Sequence, residues 1–414
     1  MTRDAHVPEA APIEIDRLLA DPATGIIVCC GSGGVGKTTT AAALGVRAAE
    51  MGRRVVVLTI DPARRLAQSL GLSELDNTPR PVLGIDTTAG GSLDAMMLDM
   101  KRTFDEVVLS HSTPEKAEQI LANPFYQALS SSFAGTQEYM AMEKLSQLSH
   151  EAAERGTWDL IVVDTPPSRS ALDFLDAPKR LSSFLDGRFI RLMMAPARAG
   201  GRAYLKVVTG GITLTTAVMT KLLGGQLLGD VQTFVAALDT MFGGFRQRAE
   251  ATYALLKDSR TAFVVVAAPE RDALREASYF VDRLDQESMP MAGVIVNRVQ
   301  RLAASGLSAG RADAAAEVLG EASVAGTGSA TAGLTEGLLR VHADLAETAE
   351  RHHAQTTRFV AGHPGIPVTE VPAAAQDIHD LDGLREIGAA LADSDTSTAD
   401  TSSADGPGAE SRAG

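Results

Sequence analysis

The sequence predicts an α/β protein built on a doubly wound, mostly parallel sheet, with an inserted helical subdomain and a disordered C-terminal tail. Three observations carry this. Continuous apolar runs rich in β-branched residues recur at GIIVCC (25–30), RVVVLTI (54–60), DLIVV (159–163), FVVVA (263–267) and AGVIV (292–296). Long stretches of helical patterning separate them. The first run leads directly into a glycine-rich segment that opens an Ala-rich helix. Runs that do not alternate with polar residues imply strands buried on both faces, which is the signature of a parallel sheet between helical layers. Helices between such strands supply the crossovers of a doubly wound fold.

Each segment then takes its place. Residues 1–20 read as an N-terminal arm, 21–392 as the folded domain and 393–414 as a tail. The runs at 82–87 and 367–371 are weaker strand candidates. Residues 92–155 and 176–257 carry helical patterning with no strand, and together they read as one helical subdomain made from two insertions. The second is rich in Met and Leu and jointed by glycine pairs at 200–201, 210–211, 224–225 and 243–244. That composition suits either a plain helical core or an adaptable apolar groove. Residues 303–333 are Ala, Gly and Ser rich and read as containing a loop before a helix at about 334–359. His352 and His353 are neighbours on that helix, project in different directions and read as solvated surface. The tail holds four Asp and one Glu against one Arg and lacks the apolar area to offset its ordering entropy.

Composition narrows the function. The chain has 414 residues, 45% hydrophobic and 22% charged, which leaves ample material for a core and excludes disorder throughout. With 52 acidic against 38 basic residues and a net charge of −14, no nucleic-acid partner is expected. The only cysteines, Cys29 and Cys30, are adjacent inside a predicted strand and make neither a disulfide framework nor a thiolate metal site. No segment reads as a signal peptide, and the uncharged apolar candidate at 207–220, bounded by Lys206 and Lys221, falls short of the roughly 20 apolar residues that span a bilayer. A cytoplasmic location is therefore expected.

The chemistry concentrates in GSGGVGKTT: Gly31, Ser32, Gly33, Gly34, Val35, Gly36, Lys37, Thr38 and Thr39. This satisfies G-x-x-x-x-G-K-[ST], the P-loop, in the required strand-to-helix context. Glycines let backbone N–H groups curl round a polyphosphate, the helix start adds positive potential, and Lys37 reaches the β- and γ-phosphates. The Thr38 hydroxyl can ligate Mg2+. ATP and Mg2+ are the expected cofactors. A P-loop enzyme also needs an acid at a neighbouring strand end to hold the metal, through water, and WDLIVVD supplies Asp164. The strand before Asp61 ends in a second acid, placed to orient an attacking water, so Asp61 and Lys37 are the catalytic candidates. Asp61 could instead cap the helix that ARRLAQSLG begins.

These residues resemble a known family. Gly31–Thr39, Asp61-Pro-Ala, and Asp164-Thr-Pro-Pro-Ser followed by Leu-x-Phe-Leu-x-x-Pro are similar to the ArsA-type anion-pump ATPases and their relatives that target tail-anchored membrane proteins. The likeness spans roughly residues 20–390 and includes FAGTQE (133–138) and GVIVNR (293–298). It implies that Asn297 reads adenine and that Pro372, in the loop after the last strand, helps cover it. It further implies a nucleotide-driven dimer in which Asp61 positions water and switch loops move the helical subdomain. The partner implied is hydrophobic or membrane-associated. Three departures stand out. The family's extra P-loop lysine is Ser32 here, so either Arg64, Arg65 or Arg169 substitutes in a homodimer, or a lysine-bearing paralogue completes a heterodimer. The thiolates of an arsenite site are missing, as are the paired cysteines of an interfacial zinc. Beyond these three, the family's switch histidine is replaced as well, by Ser170.

Overall fold

The computed structural model describes residues 10–61, 65–124, 126–127, 130, 136–166, 248, 250–324 and 330–393. Its strands are β1 (Ile26–Cys30), β2 (Arg54–Thr59), β3 (Arg80–Pro81), β4 (Ser92–Met97), β5 (Leu160–Asp164), β6 (Thr261–Ala267), β7 (Met291–Val299) and β8 (Val368–Pro372). They form one eight-stranded sheet in the order β3-β4-β2-β5-β1-β6-β7-β8. Every neighbouring pair is parallel except β3 with β4. The helices are α1 (Ile15–Ala20), α2 (Lys37–Glu50), α3 (Arg65–Ser69), α4 (Met100–His111), α5 (Pro114–Leu121), α6 (Thr136–Arg155), α7 (Arg271–Gln286), α8 (Ala309–Val324), α9 (Ala330–Gly362) and α10 (Leu381–Asp393).

The apolar runs are buried on both faces for the reason their pattern implies. On β1, Ile27 and Cys29 pack in a layer with Leu44 of α2 and Leu384 and Leu391 of α10. Ile26, Val28 and Cys30 pack in the other, with Phe104 of α4, Phe280 of α7 and Phe359 of α9. Small residues bring α2 close to the sheet: a Cβ on Gly45 would lie 2.6 Å from Val57 Cγ2. Because β1 lies between β5 and β6, the chain leaves it where the winding reverses. That opens a crevice at the strands' C-terminal ends.

The five strong runs become β1, β2, β5, β6 and β7, and the weaker run at 367–371 becomes β8. Elsewhere the structure corrects the expectations. Residues 92–155 do not begin as helix: Ser92–Met97 is a strand paired with β2 from Arg54↔Ser92 to Thr59↔Met97. It has no β-branched residue, so tertiary pairing overrides its local preference. Residues 82–87 are not a strand; beyond the short β3 the chain turns through Gly84 at φ 88 and an Asp86–Thr88 turn. The arm at 1–20 is not separate from the domain over its described part. Ile13, Ile15 and Leu19 are buried, Ile13 N donates to Thr369 Oγ1 (2.9 Å), and Ala11 O accepts from Val368 N (2.9 Å). Within 303–333, α8 replaces loop over 309–324, since alanine is the best helix former and Ala309, Ala312 and Ala316 are buried. His352 is half-buried, and its Nδ1 accepts from the Gln300 N–H at 3.1 Å, whereas His353 is exposed.

The tail after Asp393 and the Met-rich stretch through 247 lie outside the described residues, as do Arg64, Arg169, Ser170, the start of FAGTQE and the Arg65 side chain. Among the described residues, no helix is long and apolar enough to cross a membrane.

Candidate nucleotide site

β1 ends at Cys30 and the glycine loop follows it into α2. Gly31 (φ 148) and Gly36 (φ 95) hold backbone conformations that side chains resist. Space is also closed to them: a Cβ on Gly31 would lie 2.0 Å from Val266 O, and one on Gly36 would lie 2.2 Å from Asn297 Nδ2. Gly33 and Gly34 are exposed at the loop's tip, while Val35 is buried beneath it at 3% exposure. The loop is thus pinned at both ends and open in the middle.

Lys37 begins α2 and is buried, with Nζ donating to the Ser32 carbonyl at 2.7 Å. Burial lowers its pKa from the ordinary lysine value, with Asp164 the largest opposing influence. Thr38 and Thr39 follow in the helix's first turn, both half-buried. Asp164 closes β5 with no solvent exposure. Its Oδ2 accepts from Thr38 Oγ1 at 2.7 Å and from Thr59 Oγ1 at 2.8 Å. Its Oδ1 is buried with no hydrogen-bond partner among the described residues. Burial pushes this carboxyl up to about 6, against the two hydroxyl donors and Lys37, which pull it down.

A buried carboxylate with one oxygen saturated by hydroxyls and the other unpartnered is what a hard cation or its water needs. The donor set that Thr38 and Asp164 present therefore fits Mg2+. Thr59 went unnoticed in the sequence, although its signal was there: it is the one hydroxyl in the otherwise apolar end of β2, two residues before Asp61. The Asp61 N–H donates to Thr59 Oγ1 at 3.2 Å, so this threonine ties the two acids together. Asp61 itself is half-buried at the strand end.

Asn297, on β7, is 7% exposed. Its Nδ2 donates to Val35 O and its Oδ1 accepts from Arg298 N, both at 2.9 Å. Arg298 takes φ 64 to allow this. Asn297 therefore braces the glycine loop from the neighbouring strands. Pro372 is not in a loop but is the last residue of β8, opposite Val299, where Ala373 N donates to Val299 O at 2.9 Å. The loop, Asp164 and Asn297 meet directly, Asp61 joins through Thr59, and Pro372 stands at the adjoining sheet edge.

A buried parallel strand, a glycine loop braced on both sides and an acid hydrogen-bonded to the loop's threonine define the class of P-loop nucleoside triphosphatases. More narrowly, the chain belongs to the anion-transporting ATPase family, whose model matches residues 24–306, and it is an ATPase. Curated relatives agree. The chain is 26% identical to the "ATPase GET3" of Podospora anserina over 65% of its own length and 71% of that protein's. It is 25% identical to the "ATPase GET3" of Malassezia globosa over 72% and 80%. With a "Putative arsenical pump-driving ATPase 1" of Aquifex aeolicus it is 28% identical over 42% and 43%.

Proposed function

We propose that this ATPase binds MgATP in the Gly31–Thr39 loop and works as a cytoplasmic dimer whose nucleotide state acts on a hydrophobic or membrane-associated partner. The observation that carries the nucleotide reading is Asp164, with Oδ2 shared by Thr38 and Thr59 and Oδ1 buried and unpartnered. Mg2+, when bound, offsets the charge on the β- and γ-phosphate oxygens. Thr38 and Asp164 would hold that ion, the acid through water. The backbone N–H groups of residues 33–36 line the phosphates, and Lys37 exchanges its bond to the Ser32 carbonyl for phosphate oxygens. Asp61 orients the attacking water, while Asn297 and Pro372 stand on the side where adenine is bound. The name of one relative, a putative arsenical pump-driving ATPase, supports work coupled to a membrane pump.

Lys37→Ala tests the loop: nucleotide binding, followed by calorimetry, should be lost. Asp61→Asn tests the base: MgATP should still bind while turnover falls on the order of a hundredfold or more. Unchanged turnover in either variant would remove the assignment.

Ser32 favours a second reading of the dimer. A cation reaching across to a partner's phosphates accelerates phosphoryl transfer by orders of magnitude, and Ser32 carries no charge. In this reading a lysine-bearing paralogue pairs with the chain and supplies the cation to its site. Turnover of the chain alone should then be slow and rise on adding such a paralogue; equal rates with and without it would refute the pairing.

A further inference from the structure

β7 does not run straight into the nucleotide site. Its pairing with β8 holds from Val294↔Val368 to Val296↔Glu370 and resumes only at Val299↔Pro372, so β7 carries one residue more than its partner over this span. The extra residue makes a bulge, and a bulge beside a site re-aims the side chain it carries. Here it carries Asn297, whose amide reaches Val35 O in the glycine loop. The bulge is strained, since Arg298 holds φ 64. Such a conformation persists only where its surroundings over-determine it. Two bonds close the chain behind Arg298. Ala373 N donates to Val299 O at 2.9 Å, and Gln300 N, one residue past the last paired position, donates to His352 Nδ1 at 3.1 Å. The first bond joins β7 to the end of β8. The second comes from α9, outside the matched family region of residues 24–306, and from a side chain that titrates.

We propose that His352 is a positioning residue for the nucleotide loop: its neutral imidazole, accepting at Nδ1, holds the β7 bulge in the shape that lets Asn297 brace Val35. This rests on the assignment of Gly31–Thr39 as the nucleotide loop and adds a control on it from a remote helix. An imidazole accepts at one nitrogen only while neutral, because the cation is a donor at both. The proton of the working form therefore sits on Nε2. The surroundings favour that form. Partial burial lowers the pKa of the ring most, and Arg351 beside it on α9 lowers it further, against Glu270 at the start of α7 and Glu370 on β8. His352 thus strengthens nucleotide binding at neutral pH. The gain is lost as pH falls through the midpoint of the ring, which lies below the ordinary histidine value.

Calorimetry of MgATP binding to the full chain tests this with two variants. His352→Ala removes the acceptor, whereas His352→Asn puts an amide oxygen where Nδ1 stood and does not titrate. At pH 7.5 His352→Ala should bind about fivefold more weakly than the wild type, the worth of one hydrogen bond, and His352→Asn should stay within about twofold. As pH is lowered to 5, the ratio of wild-type to His352→Ala affinity should shrink toward one, while the ratio of His352→Asn to His352→Ala should not. Titration of Asp164 is common to all three proteins and cancels in these ratios. In an Asn297→Ala background His352→Ala should have no further effect on affinity, and urea unfolding without nucleotide should show the two substitutions costing less together than their sum. Wild-type affinity in His352→Ala, a ratio indifferent to pH, or an equal loss with and without Asn297 would overturn the proposal. Lys37→Ala tells the two failures apart. If that variant binds MgATP like the wild type, the loop assignment falls and the positioning role with it; if it does not bind while His352→Ala is indifferent, only the positioning role falls.

Discussion

Gly36 and Asn297 should behave as one unit. In Gly36→Ala the new Cβ would lie 2.2 Å from Asn297 Nδ2, so the amide has to swing away. It then gives up its bonds to Val35 O and Arg298 N. Each is worth about 1 kcal/mol net in a buried setting. An L-residue at φ 95 adds about 1–2 kcal/mol of backbone strain. The variant should therefore lose about 3–4 kcal/mol. Asn297→Ala alone removes the same two bonds without strain, about 2 kcal/mol. In the double variant those bonds are lost only once, so the total stays near 3–4 kcal/mol and the coupling is about 2 kcal/mol. Urea unfolding of the four proteins without nucleotide closes the cycle. Costs that add to within about 0.5 kcal/mol would refute the brace between β7 and the loop.

Two further predictions concern Asp164. Its carboxyl sits at about 6 in the folded chain, above the ordinary 3.8. Between these values the folded state holds a proton that the unfolded state has released, so the group's contribution to stability is present at low pH and lost as pH rises through 6. Over about two pH units this amounts to roughly 3 kcal/mol. Asp164→Asn should flatten that slope when unfolding is compared at pH 4 and 7.5 without metal, and an unchanged slope would place the titration elsewhere. Thr59→Val removes one of the two hydroxyls on Oδ2. It should cost about 1–2 kcal/mol and move the Asp164 midpoint to higher pH, whereas a stability equal to wild type would show the bond to be idle.

The parallel sheet was readable because its central strands are unbroken apolar runs, and those strands need no context to declare themselves. β4 was hidden: Ser-Leu-Asp-Ala-Met-Met spells no strand until β2 offers it a partner along its whole length. α8 was hidden by its glycines and serines, though its alanines make it a good helix once Ala312 and Ala316 have something to pack against. In the site, Lys37, Thr38 and Asp164 are part of a local pattern with a known chemical purpose. Thr59 is not, since its importance comes from which strand lies beside β5. Asn297 was noticed through resemblance alone, and its grip on Val35 O is a tertiary fact with no local trace. Proximity between strands distant in sequence is the information that a linear pattern lacks.

That distance also bears on how the enzyme matures. The bond between Asn297 and the glycine loop closes a loop of 262 residues. The edge strand that carries Pro372 is also the one that receives the chain's beginning, through Ala11 and Ile13. During synthesis the P-loop emerges early but stays unbraced until the chain has grown past Asn297, well over half of its 414 residues. Contacts so far apart in sequence are slow to form. ATP should consequently find no competent pocket on a nascent or truncated chain, making nucleotide capture a late checkpoint for a correctly assembled molecule.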